Sequence, residues 1–267
     1  MKPKLLIWSG LICMLAVASL TAFAADDQPL MARRGKLLFE DDFSRAELAP
    51  KWNVGKGFWT IKDGVATAAE NPEDHHGAYA FINPNLDYKD VIAEFSFEMN
   101  GASDLVLNMR DQRYKGAQAG HILRVTINKK KYQIADMKFG GMKWEYYNVK
   151  KDPKADPAAK KEVDDKIKEH TATFDAPAGM DHSVWHQGRA EVVGDELLFS
   201  VDGTPVAYFK SEGIDHATKN MLGFTISGKT ASVKNPRFFI AEADPSWPAR
   251  RSEIAGRLIR LESKSAK

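Results

Sequence analysis

The sequence predicts an all-β protein of antiparallel strands packed as a sandwich or barrel, and three observations carry that expectation. First, apolar and polar residues alternate with period two in three neighbouring stretches. Val91, Ala93, Phe95, Phe97 and Met99 oppose Ile92, Glu94, Ser96 and Glu98. Leu105, Leu107 and Met109 oppose Val106, Asn108 and Arg110, and His121, Leu123, Val125 and Ile127 oppose Ile122, Arg124, Thr126 and Asn128. Such alternation marks strands with one buried face. Second, Asp63-Gly64, Asn100-Gly101, Gly194-Asp195 and Asp202-Gly203 supply the positive φ that tight hairpins need. Third, about a dozen short strands follow one another at turn-punctuated intervals, the spacing of sandwiches and barrels.

Taken in order, the chain opens on Lys2 and Lys4, an apolar run from Leu5 to Leu20 and a small-x-small site at Ala22-Phe23-Ala24. That order describes an export signal over residues 1–24, and so a periplasmic or extracellular protein. An N-terminal extension, 25–36, leads into a single β domain over 37–243. Its first strands are expected at Leu37–Phe43, Trp59–Lys62, Val65–Ala69 and Ala78–Ile82, before the three alternating stretches. Further strands are expected at Lys131–Phe139, Val184–Val193, Glu196–Val201, Pro205–Phe209, Met221–Ser227 and Ser232–Glu242. Two segments depart from this pattern. Residues 150–170 are densely charged behind Pro153 and Pro157, and Ala158–His170 reads as an exposed helix in a loop insertion. In the tail, 244–267, Ile254, Leu258 and Leu261 recur at i, i+4 and i+7 among arginines, a basic amphipathic helix that docks on the sandwich or holds a protein partner.

Composition excludes several classes. The 38 Lys and Arg of the 267-residue chain fall to match its 36 Asp and Glu once a signal carrying Lys2 and Lys4 is removed. A neutral chain of mixed charge is not a nucleic-acid binder held by phosphate contacts. No later run reaches the roughly 18 apolar residues of a membrane helix. The lone Cys13 lies in the signal, so a processed chain has no disulfide and no thiolate chemistry.

Phe39-Glu40-Asp41-Asp42-Phe43-Ser44-Arg45 before Lys51-Trp52, Trp59 through Asp63-Gly64-Val65, Gly120-His121 with Arg124-Val125-Thr126-Ile127, Trp185-His186, Glu191 through Leu197 and Val201-Asp202-Gly203 occur in an order that resembles secreted bacterial proteins with a concanavalin A-like (laminin-G/glucanase) jelly roll. More narrowly, the chain resembles the 3-keto-disaccharide hydrolase domain family, over roughly Leu37–Glu242. The resemblance implies a jelly-roll sandwich of two antiparallel sheets, a carbohydrate ligand in the concave face of one sheet, and a structural calcium ion. No set of 6–8 oxygen ligands for calcium emerges from spacing alone.

The candidate chemistry lies on the polar faces. If the central strands are neighbours, Glu94, Glu98, Asn108, Arg110 and Arg124 form one surface of carboxylates, guanidiniums and amides, the mixture that sugar hydroxyls bond. The competing reading is a solvated sheet face with cross-strand ion pairs. Trp144, Tyr146 and Tyr147, placed on the loop after Phe139, would add an aromatic platform. His76 sits in an acid–histidine loop. His121 shares the apolar face of its strand, as a core histidine does, yet stands where strands begin to line clefts. In the enzymatic reading Glu94, Arg110, Arg124 and His121 are catalytic, while Glu98, Asn108, Trp144, Tyr146 and His76 bind substrate. A carboxylate then removes a proton beside a ketone and a cation stabilises the enolate. Glu94 and Glu98 do not form a glucanase acid pair: a regular strand sets them roughly 13 Å apart, whereas glycoside cleavage wants about 5–5.5 or 6.5–9.5 Å. A non-catalytic glycan-binding module and an envelope interaction protein remain as alternatives.

Overall fold

The computed structural model describes residues 30–265. The expected export signal lies outside the described residues, as do the side chains of 259–265 and with them the expected stripe position Leu261. Fifteen strands and three α-helices follow in chain order: β1 Ala32–Glu40, β2 Trp52–Lys56, β3 Phe58–Lys62, β4 Val65–Ala69, β5 Ala78–Ile82, β6 Val91–Glu98, β7 Ala102–Arg110, β8 His121–Asn128, β9 Lys131–Asp136, α1 Trp144–Lys151, α2 Pro157–Glu169, β10 Thr171–Asp175, β11 His186–Val193, β12 Glu196–Val201, β13 Thr204–Lys210, β14 Met221–Gly228, β15 Thr230–Ala243 and α3 Trp247–Ser265.

The strands form two antiparallel sheets. Sheet A has the order β13-β12-β11-β6-β15-β4-β3, with β1 also paired to β15, and sheet B has the order β10-β9-β8-β7-β14-β5-β2. The alternating faces do what their period requires. Phe95 and Phe97 of β6 turn inward from sheet A to meet Leu105, Leu107, Val125, Ile127 and Phe224 from sheet B. Phe95 meets Phe224 edge to face at 5.0 Å, and Tyr132 of β9 meets Phe199 of β12 in the same manner at 5.9 Å. Each such fully buried ring contributes about 1.5–3 kcal/mol through removal of its surface from water, and edge-to-face contacts suit the ring quadrupoles.

Four elements differ from the sequence expectation. The first strand starts at Ala32, within the segment read as an extension, and its Ala32 and Leu37 pair with Ala243 and Phe239. Register shifts on either side of Leu37 break its alternation, so the period of two marks only its second half, expected from Leu37. The strands β2 and β10 were not expected; β2 lies between the first expected strand and Trp59, and β10 follows directly on the charged insertion. The insertion itself holds two helices: α1 starts at Trp144, so the aromatic segment expected as loop is helical. Asp156 caps α2, accepting from the Ala158 amide at 2.8 Å, with Pro157 at the first helical position.

The tail helix α3 packs on β10 and β13, the edge strands of the two sheets. Its Trp247 indole donates to Glu196 at 2.5 Å, Arg251 donates to the same carboxylate at 2.6 Å, and Leu258 joins the main core. As far as Leu258, the apolar stripe expected to hold a partner is used within the molecule. Among the described residues no helix is long and apolar enough to cross a membrane.

The Asp41–Arg45 turn is pinned by one buried carboxylate. Asp41 accepts from Arg45 at 2.6 and 2.8 Å, from the Trp52 indole at 2.7 Å and from the Phe43 amide at 3.1 Å. Burial opposes its charge, but the Arg45 and Trp52 bonds prevail and hold its pKa below the ordinary value. Replacing Asp41 with Ala strands a partly buried guanidinium, so we expect a loss of about 3–5 kcal/mol in denaturant unfolding. Asp42→Ala next to it removes one exposed bond to the Ser44 amide and should stay within about 0.5 kcal/mol of the native protein.

Candidate functional site

Sheet B has one face in the core and one face that carries the site. The chain reaches β8 through a turn that requires glycine: Gly120 has φ +65°, and a Cβ there would lie 2.0 Å from the Asp111 carbonyl oxygen. The ladder between β7 and β8 then slips. Leu123 pairs with Met109, but Arg110 pairs with His121, leaving Ile122 as an extra residue. Ile122 and Leu123 both enter the core. Strict alternation put His121 on the core face, whereas this bulge turns it to the outer face beside Arg110.

The result is a groove over the centre of sheet B, a cavity of about 510 Å³ floored by Asn108, Arg110, His121, Arg124, Thr126 and Thr225, with His76 and Gln118 at its side. Tyr147 and Lys151 of α1 form its wall. At Arg124 and Gln133 it runs into a second cavity of about 850 Å³, roofed by α2 and bounded by Thr171 and Thr173 of β10. The insertion is therefore the wall of the groove and not only a solvated surface helix.

The floor is chemically mixed. Asn108 is buried, and its amide donates to Thr225 at 3.0 Å and to the Val106 carbonyl at 3.3 Å. The Nδ1 of His121 lies 2.8 Å from the Gln118 carbonyl, which makes it the protonated nitrogen and leaves Nε2 as an acceptor. Burial, and then the charge of Arg110, lower the His121 pKa to about 3, so the imidazole is neutral at physiological pH. Arg110 stacks over Phe81 at 4.5 Å, and burial lowers its pKa to about 10, which leaves it charged. Burial likewise lowers the Arg124 pKa against the pull of Asp104. The Nε atoms of both arginines are buried with no hydrogen-bond partner. Asp104, the carboxylate of this cavity, is engaged by Ser103 and Asn128.

Arg110, Arg124, His121, Asn108 and His76 thus come together. Glu94 and Glu98 do not join them, because β6 belongs to the other sheet. Glu94 points outward from sheet A, where Arg34, Arg189 and Arg237 donate to it at 2.8, 3.0 and 3.1 Å. This is a cross-strand ion cluster binding β1, β6, β11 and β15, with two packed sheets between it and the groove. Glu98 accepts from Asn100 at 2.9 Å. Tyr146 is buried on the far side of α1 under Lys143, and Trp144 lines a separate depression beside Tyr114. The acid–histidine cluster at His76 does not form: Asp74 turns away to accept from the Gly57 amide at 2.7 Å, while the His76 ring bonds the Gly77 carbonyl. Among the described residues no group of three or more His, Cys, Asp or Glu side chains is placed to hold a metal. Sequence reasoning passed over Gln133, Lys151 and the wall position of Tyr147. The helical spacing of Trp144, Tyr147 and Lys151 was the signal for the last two, hidden by the reading of that segment as loop.

With fold and groove in place, likeness to solved structures shows the fold to be a concanavalin A-like, galectin-like jelly-roll sandwich. A Bacillus subtilis protein of unknown function with a galectin-like fold matches at TM-score 0.54 and 12% identity, covering 80% of this chain and 100% of that one. The laminarinase from Rhodothermus marinus matches at TM-score 0.55 and 10% identity, covering 78% and 98%. The endo-β-1,3-glucanase from Pyrococcus furiosus matches at TM-score 0.51 and 12% identity, covering 78% and 95%. At these identities the likeness is one of fold. No protein-family model and no curated protein matches the sequence.

Two outcomes are expected. Because the folded pKa of His121 lies below the unfolded value near 6.5, the unfolded chain binds more protons between about pH 3 and 6.5, and stability falls as pH drops through that window. His121→Gln should remove about 2 kcal/mol of the stability difference between pH 7 and pH 4.5, read by urea unfolding. Glu94→Gln should cost about 1–3 kcal/mol of stability and leave ligand affinity at the groove unchanged.

Proposed function

We propose that this is an exported carbohydrate-binding protein of the periplasm or cell exterior, and that its ligand lies in the groove over sheet B. One observation carries the reading: side-chain amides, hydroxyls and guanidiniums run unbroken across the floor from Thr225 through Asn108, Thr126 and Arg124 to Gln133 and Thr173, and the insertion walls them on one side. A sugar chain presents hydroxyls that both donate and accept, and this floor offers guanidinium donors beside amide and hydroxyl oxygens that accept. Tyr147 supplies a ring at the wall, where the apolar face of a pyranose can rest. The jelly-roll likeness supports the reading, since laminarinase and glucanase structures share the fold.

Binding is favoured over hydrolysis by a carboxylate pair, because Asp104 is the only acid among the described residues lining the central cavity. One observation favours a second reading, cleavage of a 3-keto-glycoside: neutral His121 stands beside two cations. In that reaction Nε2 takes the proton next to the ketone, the electron pair moves onto oxygen as an enolate held by Arg110 or Arg124, its collapse expels the glycosidic oxygen, which takes that proton back from Nε2, and water adds its hydrogen and hydroxyl across the double bond. His121 then fills the role that the sequence suggested for Glu94.

Calorimetry of the native protein against a panel of neutral and acidic oligosaccharides tests the first reading, and a turnover assay on 3-keto-glucosides tests the second. Tyr147→Ala should weaken glycan binding about 3–10-fold. Absence of binding to every oligosaccharide would defeat the binding reading. Turnover that His121→Gln abolishes would establish the enzymatic one.

A further inference from the structure

The arginines of this protein divide into two groups. Between Arg33 and Arg251 almost every one has a carboxylate: Arg33, Arg34, Arg45 and Arg113 pair with Asp244, Glu94, Asp41 and Asp111, Arg189 and Arg237 with Glu94, and Arg250 and Arg251 with Asp244 and Glu196. Arg110 and Arg124 are the exceptions. Among the described residues the side chain of neither makes a hydrogen bond or ion pair, and the Nε of each is buried without an acceptor. Both lie on the groove floor.

Their placement deepens the contrast. Arg124 is opposite Asn108 on the neighbouring strand, and Arg110 is two residues beyond Asn108. They project from neighbouring strands into one cavity, so two like charges share its floor, and the charge of Arg124 disfavours that of Arg110. A guanidinium withdrawn from water without an acceptor is costly. Stacking on Phe81 satisfies the face of Arg110 but none of its N–H groups. In the central cavity the charged groups facing the pair are Lys151 from α1 and Asp104, whose carboxylate is already engaged, and from α2 across the adjoining cavity Arg124 faces Lys160, Lys161 and Lys168 with Asp164 and Asp165. His121 between them adds no charge. The cavity is thus net positive, with two forked donors that match an anion of planar or tetrahedral shape.

We propose that the groove is selective for acidic glycans, and that Arg110 and Arg124 together hold an anionic substituent of the sugar, a uronate carboxylate or a sulfate ester. This inference rests on the groove being the glycan site and names the chemistry of what enters it. The ligand anion supplies the carboxylate or sulfate acceptor that, between Arg33 and Arg251, the fold withholds from these two arginines.

The test is calorimetry of the native protein with four probes: an oligogalacturonate, the same oligomer after carboxyl reduction, a sulfated galacto-oligosaccharide, and a neutral β-1,3-gluco-oligosaccharide. An acidic probe should bind about 10–100-fold more tightly than its neutral counterpart, the range expected for hydrogen bonds to a charged group. Raising the salt should erode that preference. Arg124→Gln and Arg110→Gln should each abolish most of it, and Arg124→Lys should restore only part, since an ammonium lacks the fork. Preference for the galacturonate assigns the carboxylate, and preference for the sulfated probe assigns the sulfate ester. Equal affinity for acidic and neutral probes, with Tyr147→Ala still weakening both, overturns this inference and leaves the glycan groove intact. Binding of none of the four overturns both. Unfolding curves of the arginine variants accompany the titrations. Should either fail to fold, the salt dependence and the reduced-oligomer comparison on the native protein decide alone.

Discussion

The contact between Phe95 and Phe224, and the dry layer of side chains around it, is the constraint on which the molecule depends. Two sheets can bury only their facing surfaces, so every second residue of the central strands is drawn inward and its neighbours are driven out. On β7 and β8 this single requirement lines up Asn108, Arg110, Arg124 and Thr126 on one outer face. The bulge at Ile122 adds His121 to them, at the strand end where the ladder can yield without opening the core.

The two outer faces treat charge in opposite ways. On sheet A, Glu94 is surrounded by Arg34, Arg189 and Arg237, and the buried Glu191 accepts from the Met31 and Ala32 amides at 2.8 and 2.7 Å. Those charges are consumed in tying β1 to the sheet. On sheet B the cations are left unmatched and the acids are few. Residues that look alike in sequence, alternating polar positions on neighbouring strands, therefore have unlike roles: structural where charge is neutralised, and free to meet a ligand where it is not.

The site also depends on a segment that is no part of the sandwich. Helices α1 and α2 convert an open sheet face into a walled groove, and they are held by their own cap at Asp156 and by ion pairs such as Lys161 with Asp165 and Lys166 with Glu162. Exposed pairs of this kind each add only a few tenths of a kcal/mol. The insertion is placed by its flanking strands β9 and β10 more than by its charges. A shared sandwich with different walls is how one fold serves many ligands.

Local sequence was enough to determine the class of fold, twelve of the strands to within a few residues, the presence of a charged insertion and a basic amphipathic tail. These are local properties: period two, turn chemistry and helical spacing are written in neighbouring residues. It also singled out Arg110, Arg124, Asn108, His121 and His76, because polar side chains on alternating strands are visible as such. Which strands share a sheet was decided by tertiary structure alone. Glu94 and Arg110 alternate in the same fashion, yet β6 and β7 are consecutive strands that cross from one sheet to the other, and the hairpin signal Asn100-Gly101 marks only a change of direction. His121 changed faces through a one-residue slip, whose cause lies in the pairing with Met109 and Arg110 and not in its own neighbours. The walls contributed by Tyr147 and Lys151, and the missing acceptors of two arginines, exist only once segments distant in sequence are brought together.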